Sequence, residues 1–572
     1  MHSKFFYIVF CSFSIGLFAA AQPASPNNKN TPYQYSSKKT VTCTNGVVVS
    51  AHPLASKAGL LMLQQKGNAF DAAIATQLAL AVVYPGAGNL GGGGFMVARA
   101  ANGKTIALDY REKAPERASR DMFLDKDGNP QMTLSQNGHL ASGVPGTVAG
   151  IFATLKYAKL PLKTLIAPAI ELAAKGFCIT AREAAGLNEN RAAFVQYNTK
   201  QPVFVKEQPW KQGDTLIQKD LARTLERIRD NGMKGFYEGE TARLMVEEMQ
   251  RGNGLISYKD LSSYQARERT AMQFPYKGYT VVTMPLPSSG GIIINQALKL
   301  VEQRNIGAAG FHSLKAVQLM VEVERRAYAD RAVYMGDVDF VKVPVKRLTS
   351  EDYLRTRMLD YDATKAGNSE TIKEGVINKE SEETTHLSII DKMGNAVSIT
   401  TTLNDNYGSK TVVAGAGFIL NDEMDDFSVK PGVPNMYGAL GAEANAIAPG
   451  KRMLSSMTPT IVLKNNQPYI VVGTPGGTTI PNSVFQTLLN IIDFNLSTSD
   501  AVNKPKFHHQ WKPDEIYAEE GFPASVADSL RAMGYKVTIR GRMGRTEVIK
   551  VLPNKSFEAV ADGRGDDAAE GF

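Results

Sequence analysis

Two strand-like runs joined by a short loop constrain the fold more than any other feature of this sequence. Residues 384–390 read TTHLSII, residues 396–403 read AVSITTTL, and the loop between them reads DKMGN. Two such runs separated by a few turn-forming residues that include glycine predict a β-hairpin. The chain must therefore build a sheet around this hairpin.

The pattern of polar side chains predicts the register of the hairpin. Placing Ile390 opposite Ala396 sets Thr384 opposite Thr402, whereas a slip by one residue would mix the two faces. In this register the apolar face carries Leu387, Ile389, Val397 and Ile399, and the polar face carries Thr384, His386, Ser388, Ser398, Thr400 and Thr402. The simplest interpretation is a threonine-rich strand pair with one solvated face, because threonine favours strands.

The position of Thr384 suggests a second interpretation. It is the first residue of the first strand and directly follows the acidic residues ESEE, which end a polar stretch at 370–383. A threonine hydroxyl needs a base beside it, and a free α-amine on the same residue, with a pKa of about 7.7 to 8.0, can be that base. Such an amine exists only after the chain is cut before Thr384. The sequence therefore suggests a self-cleaving precursor with Thr384 as its nucleophile.

Two further motifs could complete such a site. Residues 471–477, VVGTPGG, end a strand in a glycine-rich turn before a helical pattern, and backbone N–H groups there could stabilise an oxyanion. A tight structural turn is the alternative. Residues 421–427, NDEMDDF, place Glu423 and Asp426 three positions apart, where clustered carboxylates could hold an ammonium group. A metal site is disfavoured there because no histidine is nearby.

The N-terminus predicts export. Lys4 precedes an apolar stretch, 5–18, and small residues follow up to Ala21, which is the pattern of a secretory signal peptide in residues 1–21. This stretch is too short for a comfortable membrane span, and no later stretch is long and apolar enough for one. We therefore expect a soluble protein, periplasmic or secreted. Residues 22–44 are polar and rich in Pro, Asn and Ser, and they predict a disordered tether before a first strand at 46–50.

Cysteine usage and charge exclude other classes of protein. After removal of the signal peptide only Cys43 and Cys178 remain, so core burial rather than a disulfide framework must hold the fold. Two packed thiols are expected, with a single bridge as the alternative. The net charge of +8 comes from 64 basic and 56 acidic residues without Lys/Arg runs, so no nucleic-acid partner is expected.

One glycine pattern resembles a nucleotide-binding motif but stands in the wrong context. Residues 86–91 match GxGxxG, yet they follow an Ala-rich helical pattern at 69–83 and lead into a strand. A dinucleotide site needs the opposite order, a strand followed by a helix. These glycines are therefore expected to allow close backbone packing. Along the chain, residues 45–383 are helix-rich and residues 384–572 are sheet-rich.

The whole set of motifs resembles one family. From about residue 45 to the C-terminus the chain resembles the γ-glutamyltranspeptidases, or glutathione hydrolases, which are N-terminal-nucleophile enzymes. The resemblance is carried by GNLGGGGFMV (88–97), LDYREKAP (108–115), GVPGTVAG (143–150), PSSGG (287–291), ETTHLSIID (383–391), MDDFS (424–428), LSSMTPT (454–460) and TPGG (474–477). It implies an αββα four-layer sandwich formed by a large subunit, 45–383, and a small subunit, 384–572, cut from one precursor. The two subunits would associate as a heterodimer, and no metal or cofactor is implied.

The resemblance also implies roles for individual residues. Cleavage between Glu383 and Thr384 would make Thr384 the N-terminal nucleophile, which the hydroxyl of Thr402 would help to activate. Gly476 and Gly477 match the glycines of the oxyanion hole. The α-carboxylate of a γ-glutamyl group would be held by Arg111, Ser455 and Ser456, and its α-amine by Asn404, Glu423 and Asp426. Residues 431–441 resemble a lid loop, with Tyr437 as its closing aromatic side chain.

The implied activity is γ-glutamyl transfer. Glutathione and related γ-glutamyl compounds would be the donors, and water, amino acids or peptides would accept the acyl group. Two alternatives stay open. A cephalosporin or glutaryl acylase of the same superfamily would prefer an acyl group without the α-amine, and an exported binding protein would keep the hairpin uncut.

Overall fold

The computed structural model of the chain describes residues 38–372, 384–433, 435–436 and 440–572. The expected signal peptide, most of the expected tether, Glu383 and Tyr437 lie outside these described residues.

Two seven-stranded sheets form the centre of the molecule. The strands are β1 (Thr40–Cys43), β2 (Gly46–Ser50), β3 (Gly93–Arg99), β4 (Thr105–Asp109), β5 (Phe177–Cys178), β6 (Thr215–Leu216), β7 (Arg267–Arg269), β8 (Met272–Tyr276), β9 (Tyr279–Thr283), β10 (Thr385–Asp391), β11 (Ala396–Thr402), β12 (Thr460–Lys464), β13 (Gln467–Gly473), β14 (Phe507–His508), β15 (Ile516–Glu519), β16 (Val537–Arg540), β17 (Glu547–Val551), β18 (Phe557–Val560) and β19 (Ala568–Gly571). The first sheet has the order β1-β18-β17-β13-β12-β9-β8 and the second has the order β19-β2-β10-β11-β3-β4-β7.

Helices cover the outer faces of both sheets. They are α1 (Pro53–Gln64), α2 (Ala69–Val83), α3 (Met132–Gln136), α4 (Thr147–Leu155), α5 (Leu162–Lys175), α6 (Ala181–Glu189), α7 (Arg191–Gln196), α8 (Lys219–Asn231), α9 (Lys234–Tyr237), α10 (Gly239–Arg251), α11 (Tyr258–Ser262), α12 (Gly290–Glu302), α13 (Leu314–Tyr334), α14 (Val345–Leu348), α15 (Glu351–Arg357), α16 (Thr479–Ile492), α17 (Thr498–Asn503) and α18 (Ala524–Ala532). No helix in the described part of the chain combines the length and the apolar character that a membrane crossing requires.

Three apolar cores define four layers, which confirms the predicted αββα sandwich. The core between the two sheets contains Val49 and Phe95 from the second sheet and Ile461 and Val471 from the first. Alternate residues of the same strands, such as Val48, face a core shared with α1, α2 and α5. A third core joins the outer face of the first sheet to α12, α13 and α16. Each strand therefore buries one face against the other sheet and one against helices.

The hairpin has the predicted register. β10 and β11 pair antiparallel, with His386 opposite Thr400, Ser388 opposite Ser398 and Ile390 opposite Ala396. The apolar face packs in the helix-side core, as Leu387 and Val397 show. The alternation of polar and apolar side chains along the two strands was therefore sufficient to predict their pairing.

The interpretation of a solvated polar face is wrong, because this face lies between the two sheets. Ser388 Oγ donates to the carbonyl of Glu547 (3.2 Å), and Ser398 Oγ donates to the carbonyl of Val472 (3.1 Å). Both acceptors belong to strands of the first sheet. Buried hydroxyl groups are tolerated there because each finds a hydrogen-bond partner.

The tether prediction is wrong at its C-terminal end. Thr40–Cys43 form the edge strand β1, which pairs with β18 from Val560 to Phe557. The β-branched residues of TVTC suit a strand, but the partner strand lies more than five hundred residues further along the chain. Cys43 and Cys178, both among the described residues, are not joined by a disulfide.

Candidate active site

Thr384 and Thr402 lie where β10 begins and β11 ends. Both side chains are nearly buried and line one small cavity. The Oγ1 of Thr402 accepts a hydrogen bond from the backbone N–H of Asn404 (2.8 Å), and the Thr402 carbonyl accepts one from Asn89 (2.8 Å). The hairpin register therefore delivers two threonine hydroxyl groups to the same cavity.

The glycine motif holds the end of β11 in place. A Cβ at Gly92 would lie 2.1 Å from the carbonyl oxygen of Thr402, and one at Gly91 would lie 2.1 Å from the carbonyl oxygen of Ile419. The motif follows α2 and precedes β3, the order that the sequence predicts. Only glycine permits so close an approach of backbone to backbone.

Arg111 forms the charged centre of the cavity wall. Its guanidinium donates to the carbonyls of Met453 and Leu454, at 3.4 Å each. One Nη lies 2.5 Å from Glu423 Oε2 and the other pairs with Asp426. The arginine and the acidic motif, more than three hundred residues apart in sequence, thus form one ion cluster.

Burial and Arg111 shift the pKa values of these carboxyl groups in opposite directions. Burial raises the pKa of both Glu423 and Asp426, and the Arg111 guanidinium opposes the effect in each case. Burial also raises the pKa of the neighbouring Glu112 to about 8. Because a guanidinium keeps its proton at any ordinary pH, the cluster always offers one cation beside several carboxyl groups.

Ser455 and Ser456 lie beside this cluster in the segment that leads to β12. Ser455 Oγ accepts the N–H of Met457 (3.1 Å), and the Ser455 carbonyl accepts the N–H of Ser289 (2.8 Å). Ser456 Oγ accepts a hydrogen bond from Arg331 Nη2 (3.3 Å). Ser456 therefore contacts a second arginine, Arg331, which also lines the cavity.

The glycine-rich turn connects β13 to α16. Gly476 has a φ of +131° and Gly477 a φ of +51°, which residues with a Cβ rarely adopt. The carbonyl of Gly476 accepts the N–H of Thr479 (2.8 Å), so the helix begins directly after the turn. Gly477 lines the cavity of Thr384, whereas Gly476 lines a neighbouring cavity.

The structure brings most of the predicted residues together. Those that line the cavity are Arg111, Thr384, Thr402, Asn404, Asp426, Ser455, Ser456 and Gly477. Glu423 is fully buried behind Arg111 rather than in the cavity wall. The cleavage-site residue Glu383 and the lid residue Tyr437 lie outside the described residues.

Sequence reasoning missed Arg331, Asn435 and Thr478, which also line the cavity. Arg331 lies on α13, where a helical pattern dense in charged residues gave no signal that one arginine faces a site. Asn435 donates to Asp426 Oδ1 (3.1 Å) from within the predicted lid segment. For Asn435 and Thr478, the only available signal was that each is a polar residue close to a motif, MDDFS for Asn435 and TPGG for Thr478.

Comparison with known proteins decides the family. The family model of the γ-glutamyltranspeptidases matches residues 55–572. The chain is 45% identical to the glutathione hydrolase proenzyme of Escherichia coli over 97% of this chain and 96% of that protein. It belongs to the γ-glutamyltranspeptidase family.

Solved structures agree with this assignment. A cephalosporin acylase from Bacillus halodurans is similar with a TM-score of 0.81 at 25% identity, over 96% of this chain and 99% of that chain. A γ-glutamyltranspeptidase from Helicobacter pylori is similar with a TM-score of 0.56 at 45% identity, over 57% of this chain and 94% of that chain. The chain is therefore an enzyme of the γ-glutamyltranspeptidase family with the N-terminal-nucleophile fold.

Proposed function

We propose that this γ-glutamyltranspeptidase is an exported precursor that cuts itself between Glu383 and Thr384 and then acts through the new N-terminus. The observation that carries the proposal is the cavity in which Thr384, Thr402 and the Arg111 cluster meet. The donors are glutathione and related γ-glutamyl compounds. Water, amino acids or peptides take up the acyl group, and the leader 1–21 directs the precursor to the periplasm or the medium.

The nucleophile is the hydroxyl of Thr384. Cleavage converts its peptide nitrogen into an α-amine, which accepts the hydroxyl proton as the oxygen attacks the γ-carbonyl. The Thr402 hydroxyl lies in the same cavity and orients the attacking oxygen. Backbone N–H groups of Gly476 and Gly477 stabilise the oxyanion that forms. When this intermediate collapses, the γ-amide C–N bond breaks and the protonated α-amine of Thr384 gives its proton to the departing amine, which is cysteinylglycine when the donor is glutathione. A γ-glutamyl ester remains on Thr384, and water or an acceptor amine then releases the γ-glutamyl group and restores the hydroxyl.

Specificity follows from the charges of the cluster. The tip of a γ-glutamyl group carries one carboxylate and one ammonium, so a matching site needs a cation and clustered anions at fixed positions. Arg111 with Ser455 and Ser456 receives the carboxylate, while Asp426 and Asn404 receive the ammonium, with Glu423 behind them. A zwitterion adds no net charge to this buried site, which limits the cost of desolvation.

The decisive experiment is the intact mass of the purified protein and of two variants. Thr384→Ala should leave one uncut chain and lower γ-glutamyl hydrolysis on the order of 10⁴-fold or more. Thr385→Val is the matched control, because the Thr385 hydroxyl makes no hydrogen bond within the described part of the chain. It should still give two fragments that break at Thr384. Two fragments from Thr384→Ala would refute the autocleavage mechanism.

The acylase alternative is tested with two substrates that differ only in the α-amine. A γ-glutamyl anilide should be hydrolysed faster than a glutaryl anilide, because the glutaryl group leaves Asp426 without the ammonium it is placed to hold. A preference for the glutaryl compound would assign the protein to the acylases instead. A single uncut chain without either activity would favour the binding-protein alternative.

A further inference from the structure

A second cavity lies on the other side of the oxyanion turn. It has a volume of about 370 Å³ and is open to solvent. Its wall includes Pro475 and Gly476, whereas the next residue, Gly477, lines the catalytic cavity. One turn of backbone therefore separates the two cavities.

The wall of this second cavity is strongly basic. It contains the side chains of Arg182, Arg542, Arg545 and Arg564, with Glu183 and Glu189 as its acidic residues. Glu183 is already engaged, because it accepts the N–H of Thr180 (2.7 Å) and lies 3.1 Å from the ring of His52. The exposed Glu189 carries a single negative charge, which cannot neutralise both Arg182 and Arg542.

Arg564 anchors two of the other arginines. Its own guanidinium is neutralised by Glu519 (2.5 Å) and Asp562 (3.1 Å). Its backbone carbonyl then accepts hydrogen bonds from Arg182 Nη2 (2.7 Å) and Arg542 Nη1 (3.1 Å). A single oxygen atom thus holds two guanidinium groups of like charge close together.

These two guanidinium groups have no acidic partner in the part of the chain that the structure describes. No carboxylate oxygen there forms an ion pair with Arg182 or Arg542, although exposed arginines elsewhere, such as Arg355, have one. Like charges held this close repel each other, and an anion between them would remove the repulsion. The arrangement is pre-organised, since the anchoring carbonyl fixes both side chains beforehand.

We propose that this cavity binds a small multivalent oxyanion, either a phosphate or a di- or tricarboxylate. A guanidinium donates two parallel N–H groups, which match the oxygen spacing of both kinds of anion. Arg182 and Arg542 supply two such forks at the rim. Arg545 lies deeper in the wall, where it donates to the hydroxyl of Tyr84 and its Nη1 lies 3.9 Å from Asp567 Oδ2.

Binding at this site acts on the oxyanion turn. The backbone N–H of Arg545 donates to Thr474 Oγ1 (2.9 Å), so the basic wall is tied directly to the turn Thr474–Gly477. A bound anion that draws Arg545 or Gly476 shifts the N–H groups on the opposite side. The coupling, though not the binding, rests on the proposed function, and we expect it to alter kcat more than KM.

The binding test uses the purified full-length protein, titrated calorimetrically with inorganic phosphate and, separately, with citrate at constant ionic strength. The double variant Arg182→Gln/Arg542→Gln should raise the Kd about 10-fold or more, because charge-assisted hydrogen bonds are lost. Arg355→Gln removes one exposed arginine elsewhere and should leave the Kd unchanged. A wild-type Kd in the double variant, or an equal loss in Arg355→Gln, would overturn the site. If phosphate binds more tightly than citrate, the site is a phosphate site; if citrate binds more tightly, the site is one for di- or tricarboxylates.

The kinetic test measures hydrolysis of a γ-glutamyl anilide with and without the saturating anion. The anion should change kcat in the wild type and leave it unchanged in the double variant. Anion binding without any change in kcat would overturn the coupling to the oxyanion turn. Absence of hydrolysis in every protein would instead refute the proposed function, while the calorimetric result would still decide the site.

Discussion

Arg111 shows how single residues set the chemistry of the cavity. Its guanidinium is buried, fixed by the carbonyls of Met453 and Leu454, and paired with Glu423 and Asp426. Under the proposed function, a substrate carboxylate would share this guanidinium with the carboxyl groups of Glu423 and Asp426. The planar fork is suited to such sharing, because its five N–H donors point in different directions.

Replacing Arg111 by lysine should raise KM far more than it lowers kcat. Lysine keeps the positive charge but loses the bidentate geometry, and a lost charge-assisted hydrogen bond costs about 1.5 to 3 kcal/mol, or roughly 10- to 100-fold in KM. Steady-state kinetics on a γ-glutamyl anilide would measure the change, and the intact mass would confirm that the variant is still cut. An unchanged KM would remove Arg111 from carboxylate binding.

At the scale of elements, the β10–β11 hairpin combines the end that carries Thr384 and Thr402 with a buried polar face. His386 is fully buried between the sheets, where Nδ1 lies 2.9 Å from Thr400 Oγ1 and Nε2 lies 3.1 Å from Ser388 Oγ. Burial lowers the pKa of His386 to about 3. The ring is therefore neutral at physiological pH, and the hairpin depends on that neutral form.

Acid should destabilise the protein through His386. The unfolded chain binds a proton at this residue near pH 6.5 and the folded protein only near pH 3, so the free energy of unfolding falls as the pH drops below 6.5. At pH 5 this residue alone accounts for about 2 kcal/mol. In urea denaturation, His386→Gln should lose about that much less stability than the wild type between pH 7.5 and pH 5.

The alkaline range provides the control for this prediction. Between pH 8 and pH 9 histidine no longer titrates, so both proteins should change in stability by the same amount. If the wild type and His386→Gln lost the same free energy of unfolding between pH 7.5 and pH 5, His386 would not be the cause of the acid destabilisation.

At the scale of the whole molecule, both sheets combine strands from either side of the predicted cleavage site. β2 lies between β10 and β19, β3 pairs with β11, and β9 pairs with β12. Separation of the two halves would expose several long strand edges and the core between the sheets. Cleavage should therefore leave the fold intact.

The cut protein should behave as one particle. On size exclusion in native buffer, both fragments should elute together in equal amounts, at the volume of the uncut Thr384→Ala variant. They should separate only in a denaturing gel. Two peaks in native buffer would show that the shared sheets do not hold the halves together.

Local spacing determined much of this protein before any tertiary structure was known. Alternation along 384–403 fixed the register of the hairpin, because side chains of a strand point alternately to opposite faces. Helical spacing at 69–83 predicted α2 with its observed bounds. The order of helix, glycines and strand at 69–97 excluded a dinucleotide-binding loop, and the resemblance to one family indicated the αββα layers.

Tertiary structure alone decided which distant groups meet. The polar face of the hairpin is buried because a second sheet supplies carbonyl acceptors, and β1 is ordered because β18 lies beside it. Arg331 reaches the cavity of Thr384, and Arg182 and Arg542 meet at the carbonyl of Arg564, through packing of segments far apart in the chain. Periodicity acts between neighbours in sequence, whereas ion clusters and cavities depend on the packing of whole layers, which no local pattern encodes.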